Sequence, residues 1–167
     1  GFPELMRAAA AAQQVFPQLQ VIVFGNDRTA YSYPSQHPTG SWKAQLLDEL
    51  KDDLDLSRIY FTGLLSYGEL VQLFCRSNLH CYFTGPYVVS WGIFQAAACG
   101  ANLLVNNFNG INEVFAQPLK LQPVDLEHQA SVSRSVINGL NSCKEQVNHS
   151  SLLNSALTLN NSLEYWS

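Results

Sequence analysis

Apolar positions along the chain fall into two rhythms, a helical one with period near 3.6 and short unbroken runs that suit buried strands. Residues 3–15 read as an alanine-rich helix with Leu5, Ala8, Ala12 and Val15 on one face. Val21–Phe24 reads as a strand ending at Gly25. Residues 42–51 read as a helix capped by Ser41, with Leu46, Leu47 and Leu50 inward. Ile59–Phe61 is a strand closed by Thr62-Gly63. Ser66 and Glu69 have the spacing of a capping box, so a helix starts at Tyr67 and buries Leu70, Leu73 and Phe74. Leu79–Phe83 is apolar, a loop follows, and a small-residue helix runs from Ser90 to Gly100 before a strand at Asn102–Val105. A short helical turn is expected near Ile111 and a short strand at Leu119–Leu121. Asp125 then caps a helix with Val132, Val136, Ile137 and Leu140 inside, and the polar stretch 144–164 is expected to be helical in part.

Strands alternating with helices mean an α/β domain, a parallel sheet with helices on both faces. The near-continuous apolar strands fit a sheet covered on both sides. With 167 residues the chain has the size of one domain with a full core, and no linker or repeat divides it. Apolar residues make up 47% and charged residues 13%, a balance that leaves apolar surface expecting a partner. A net charge of −4 offers no electrostatic footprint for nucleic acid. No apolar run has the length of a membrane span, and Gly1-Phe2-Pro3 opens no signal peptide. Cys75, Cys81, Cys99 and Cys143 have no paired spacing and read as reduced thiols, with Cys81 and Cys99 at core positions. Two sequons, at Asn148 and Asn160, read as chance matches without a secretory signal.

Candidate chemistry lies in the loops that follow strands, at the carboxyl edge where open α/β sheets bind ligands. Ser90 would cap a helix whose first amides face the loop from Thr84, an end suited to phosphate. Gly92 allows close approach of a ligand, or else only tight packing with Gly100. Arg28, after the strand ending at Gly25, could hold a diphosphate bidentately or pair with Asp27 on the surface. Lys43 is a second candidate cation, and the loop 27–40 is long for this fold. None of the four histidines reads as a catalytic base, and His80, inside a strand, is expected to be packed in the core. No His, Asp and Glu set has metal-ligand spacing, and the run Asp52–Asp55 reads as a solvated turn. There is no Gly-x-Gly-x-x-Gly and no Walker A loop, which argues against a dehydrogenase or an NTPase.

The stretch 79–114 resembles the signature of retaining glycosyltransferases of family 4, in the C-terminal half of the GT-B fold. There a Glu and a Phe-Gly pair precede Leu-Glu-Ala-Met-Ala-x-Gly-x-Pro-Val-Val, and Gly-Gly-x-x-Glu-Val follows. This chain has Tyr87 and Gln95 where the family has its two glutamates, and Ser90-Trp91 before the helix, as in one branch of the family. That branch also carries a Gly-x-Asp-Arg run and a Ser-Trp-Lys, here 25–28 and 41–43. The resemblance implies a Rossmann-like domain whose first strand would precede Gly1. It implies a single nucleotide-sugar-binding domain over 1–167, truncated at both ends. Donor contacts would come from Arg28, Lys43, Gly63, Leu64, Tyr87, Ser90, Trp91, Gly92, Gln95 and Gly110. Gly63 and Leu64 would read the base by backbone groups, and Gln95 would meet the ribose hydroxyls. The implied reaction is retaining glycosyl transfer from a nucleotide sugar, without metal or cofactor, in the cytoplasm. No catalytic group is expected in this chain. A separate N-terminal domain would bind the acceptor, and only that half would touch a membrane surface. The rival reading is a catalytically inactive binding module, which Gln95 in place of Glu supports. An epimerase of similar architecture would need carboxylates at the ligand edge that the chain does not offer.

Overall fold

The computed structural model describes residues 1–29, 33–85, 90–106 and 122–147. Helix α1 spans Phe2–Val15, with Pro3 in its first turn, where a missing amide proton costs nothing. Strand β1 is Val21–Phe24, and helix α2 is Trp42–Glu49, capped by the Ser41 hydroxyl, which accepts from the Ala44 amide. A 3₁₀ turn at Leu56–Arg58 leads into β2, Ile59–Gly63. Helix α3, Tyr67–Arg76, opens with the capping box of Ser66 and Glu69. Strand β3 is His80–Tyr82, α4 is Trp91–Ala98, and β4 is Leu103–Asn106. Strand β5, Gln122–Val124, and helix α5, Gln129–Val147, complete the described elements.

Most boundaries agree with the apolar pattern to within a few residues, β3 being one residue shorter at each end and β2 two residues longer than expected. Val15 is 52% exposed, whereas Met6 is fully buried. The inward stripe of α1 is therefore Met6, Ala8, Ala9, Ala10 and Ala12, broader than the stripe expected. The strand expected at 102–105 sits one residue later, and α2 stops at Glu49. Asp125 does not cap α5. Its carboxylate accepts from the Glu127 amide and meets His128 Nδ1 at 3.2 Å, closing a turn before the helix begins at Gln129. The turn expected near Ile111, the strand expected at 119–121 and residues 148–164 lie outside the described residues.

The strands form two all-parallel pieces. β1 pairs with β2, Val21 opposite Ile59, and β4 stands between β3 and β5. Side chains alternate between two faces. On one, Val21, Val23, Ile59 and Phe61 pack with α2 and with Met6 and Ala10 of α1. Ala8, Ala12 and Phe16 join Leu104, Val124 and Val132 in a second cluster on α5. On the other face, Leu103, Val105 and Tyr82 pack under α3 and α4 through Phe74, Ile93 and Ala96. α1 thus contributes to two of the three clusters, one on each sheet piece.

Glycine and amides set the joints. α4 ends in a Schellman motif, with Gly100 at φ +73°, its amide bonded to Ala97 O and the Ala101 amide to Ala96 O. The buried Gln13 side chain bonds both main-chain groups of Asp55, at 2.9 and 3.3 Å. All four cysteines are free thiols, and burial pushes the Cys81 thiol up to about 12. Among the described residues no helix is long and apolar enough to cross a membrane.

Candidate functional site

Strands β1 and β2 both end on glycines in the left-handed region, Gly25 at φ +114° and Gly63 at φ +68°. The Gly25 amide bonds Gly63 O at 2.8 Å, so the two strand ends are joined. Above them opens a cavity of about 870 Å³. Its walls are the loop Asn26–Thr29, the start of α2 from Ser41 to Lys43, the strand residues Phe24 and Phe61, and the first turn of α1. It lies at the carboxyl edge, where this class of sheet takes ligands.

The described residues of the long loop after β1 bond back to α2. Ser41 Oγ donates to Asp27 at 2.8 Å while capping α2. Trp42 Nε1 donates to Tyr33 O at 3.0 Å, and His37 reaches Thr39 and Asp48. Asp27 is thus engaged with a hydroxyl, and Arg28 does not pair with it. Among the described residues Arg28 has no ion-pair partner. Lys43 Nζ sits 4.2 Å over the Phe61 ring, a cation–π contact that holds the ammonium at the cavity wall. Glu4 of α1 also lines the cavity. The cavity wall therefore carries Arg28, Lys43, Asp27 and Glu4, with Lys43 held over a ring and Asp27 by a hydroxyl.

The sequence expectation gathered ten residues. Arg28, Lys43 and Gly63 line this cavity together. Leu64 follows at the rim, 74% exposed, and is not part of the wall. Ser90, Trp91, Gly92 and Gln95 stand at the start of α4 and do not line the cavity. Tyr87 and Gly110 lie outside the described residues. The first amides of α4 are not all free. Ser90 Oγ accepts from Gly92 N at 3.2 Å and Ser90 O from Ile93 N at 3.1 Å. Among the described residues neither Gly92 nor Gly100 is crowded by a neighbour. Trp91 is 68% exposed with its ring 6.0 Å from that of Phe94.

Two features escaped the sequence reading. The start of α1 faces the cavity, which follows from the rule that helices after strands begin at the ligand edge. Asn106, at the end of β4, is buried and clamps the loop after β3. Its Oδ1 accepts from Thr84 N and its Nδ2 donates to Thr84 O, both at 2.8 Å. The far side of that loop is tied by Ser90 N, which donates to the Tyr82 hydroxyl at 3.2 Å. His80 is packed as expected, between the rings of Phe24 and Phe74, and burial pushes its pKa down to about 4. Among the described residues no cluster of His, Cys, Asp and Glu could hold a metal ion.

No protein-family model matches the chain, and no curated protein matches it in sequence. Solved structures match it in fold. The pneumococcal O-GlcNAc transferase GtfA, solved with UDP and GlcNAc, superposes with a TM-score of 0.62 at 12% identity over 99% of this chain. AviGT4, a glycosyltransferase of avilamycin A biosynthesis, matches with a TM-score of 0.39 at 12% identity over 85% of the chain. The chain spans 32% of the length of the first and 45% of the second. The fold is α/β and Rossmann-like, with parallel strands between helical layers, as in the part of GtfA that it superposes on.

Proposed function

We propose that the chain is the nucleotide-sugar-binding domain of a retaining, metal-independent glycosyltransferase of family 4, with the acceptor held by another domain. The observation that carries the reading is Arg28, which among the described residues pairs with no carboxylate, together with Lys43 in a cavity at the joined ends of β1 and β2. The fold is shared with an enzyme whose structure holds UDP and GlcNAc, which supports the same ligand class here. A diphosphate in the cavity would meet a planar fork of donors from Arg28 and a point charge from Lys43. These cations stabilise the charge that grows on the leaving diphosphate as the glycosidic bond to it breaks. Backbone groups at Gly63 and Leu64 read the base, and Gln95 takes the ribose hydroxyls. Tyr87, Ser90, Trp91, Gly92 and Gly110 complete the sugar end.

Calorimetric titration with uridine, guanosine and adenosine diphosphates and their sugars tests this. Arg28→Ala should weaken binding about tenfold or more, because a hydrogen bond to a charged group contributes about 1.5–3 kcal/mol. Gln95→Glu should tighten nucleotide-sugar binding by about fivefold, since a carboxylate accepts stronger bonds than an amide. Absence of binding by any of these compounds removes the reading.

A second reading, a binding module without turnover, has its own support. Gln95 replaces the family's carboxylate, and the start of α4 lies off the cavity with Gly92's amide already capped. Binding of a nucleotide sugar without glycosyl transfer in the complete protein would favour it.

A further inference from the structure

The spacing of the cysteines pairs none of them, but the fold brings Cys75 and Cys99 together. Cys75 lies in the last turn of α3, and Cys99 is the C-cap of α4. Each sits a short way before a strand, and those strands, β3 and β4, pair in parallel with His80 opposite Leu103. Equivalent positions of two successive helix–strand units therefore stand side by side. The chain just beyond the helices is pinned at the same place. Asn102 Nδ2 donates to Asn78 O at 3.0 Å, and His80 N to Asn102 O at 2.8 Å. Cys75 Sγ stands 4.0 Å from the main-chain oxygen of Cys99, and the two thiols are close enough to hydrogen-bond. Cys75 is exposed, whereas Cys99 is half-buried and packs against the cluster of Phe74, Ile93 and Ala96. Burial, then the charge on Cys75 and its hydrogen bond, push the Cys99 thiol up to about 11. The other two thiols stand elsewhere. Cys143 is buried, with its Sγ donating to Asn78 O at 2.9 Å, and burial holds Cys81 protonated.

We propose that Cys75 and Cys99 close a reversible disulfide when the protein meets a hydroperoxide, a redox clasp between the carboxyl ends of α3 and α4. An exposed thiol and a neighbouring thiol that resolves it are the two parts such chemistry requires. The Cys75 sulfur attacks one oxygen of the peroxide. The O–O bond breaks, a water leaves with the thiol proton, and Cys75 becomes a sulfenic acid. The Cys99 sulfur then attacks the Cys75 sulfur. The S–S bond forms, the S–O bond breaks, and the hydroxide leaves as a second water with the Cys99 proton. The two thiols together give up two electrons, which reduce the peroxide to water. The order follows from surroundings, since Cys75 is open to solvent while burial keeps Cys99 in its weakly nucleophilic thiol form. A dithiol reductant reverses the bond by exchange. The clasp closes the stretch from 75 to 99, which contains β3 and α4, and fixes α4 on α3 where Phe74 meets Ile93 and Ala96. It restricts the unfolded chain, so it stabilises the fold. Neither cysteine lines the cavity at the ends of β1 and β2, so the clasp acts on the packing of α4.

The test treats the reduced protein with hydrogen peroxide, alkylates the remaining thiols and maps the cysteines by mass spectrometry. The expected product is a chain that has lost two hydrogen atoms and carries a Cys75–Cys99 crosslink, with Cys81 and Cys143 still thiols. Dithiothreitol should restore both thiols. The oxidised form should melt about 5 °C or more above the reduced form. In Cys99→Ser, Cys75 should stop as a sulfenic acid, labelled by dimedone about tenfold or more above the parent. In Cys75→Ser, Cys99 should remain a thiol at the same peroxide dose. A parent that keeps both thiols, or that holds Cys75 as a sulfenic or sulfinic acid beside a reduced Cys99, overturns the proposal. So does a disulfide that forms only between two chains, or one that takes in Cys81 or Cys143. An unchanged melting point with the crosslink in place overturns the clasp. Nucleotide binding is not read in this experiment, so its result is independent of the function proposed above.

Discussion

Asn106 holds the start of the loop after β3 with both ends of its amide, much as Gln13 holds Asp55. Each amide stands in for a strand neighbour, supplying one donor and one acceptor to a segment that has no ladder of its own. Asn106→Ala should therefore leave two main-chain groups of the half-buried Thr84 unpaired. The expected cost is about 2 kcal/mol, measured by urea unfolding. Asn106→Asp should be little better, since a carboxylate cannot donate to Thr84 O. Neither clamp was legible in the sequence, because an Asn at a strand end also reads as an ordinary turn residue. His80 was legible as a packed residue, and its surroundings add a pH dependence. Burial lowers its pKa from 6.5 to about 4, so the unfolded chain binds a proton that the folded chain refuses. Stability from this group is full above pH 6.5 and is lost as pH falls toward 4. At about 1.4 kcal/mol per unit the loss reaches up to about 3 kcal/mol. Denaturant midpoints at pH 7 and pH 5 should differ in the parent and converge in His80→Phe, which keeps a ring against Phe24 and Phe74.

At the scale of elements, local chemistry fixes the ends that the sequence located well. Ser66 N donates to Glu69 at 2.8 Å while the Ser66 hydroxyl accepts from the Glu69 amide, the reciprocal pair that the Ser-x-x-Glu spacing announces. The Ser66 hydroxyl, donating to the Glu69 carboxylate at 2.7 Å, and then the Ser66 amide hold that carboxyl below its ordinary range. Ser66→Ala should cost about 1 kcal/mol in thermal or denaturant unfolding, and a Ser66→Asp variant should recover most of it. α5 shows where such signals mislead. Asp125 has the right residue type, but its carboxylate serves the Glu127 amide and His128, so the helix waits until Gln129. α1 shows another limit. Alanine is apolar enough to bury and small enough to be exposed, so a run of it defines no stripe. Only packing on two sheet pieces decides that Ala9 and Ala10 turn inward while Val15 turns out.

In the molecule as a whole, the fold class was readable because buried parallel strands leave unbroken apolar runs. The site was readable in part. Arg28, Lys43 and Gly63 meet because each follows a strand or opens a helix on the same edge, a matter of topology. That the start of α4 stands off the cavity was not readable, since it depends on how the two pieces lie. If the cavity takes a diphosphate, its grip is ionic. Raising salt from 50 to 500 mM should then weaken binding of uridine diphosphate in the parent and do so less in an Arg28→Ala, Lys43→Ala double variant, as titration calorimetry would record. The packing of α1 on α5 has a further consequence, in time. Gln129 of α5 reaches back to Glu4 O, and Val132 and Val136 complete the cluster that Ala8 and Ala12 begin. On the ribosome α1 therefore waits for α5. At roughly 5–20 residues per second, the interval between the end of α1 and the arrival of α5 is about 6–25 s. During that interval the alanine face stays open to other nascent chains and to chaperones. Translation arrested before residue 129 should yield a protease-sensitive chain, and arrest with α5 clear of the exit tunnel a resistant one.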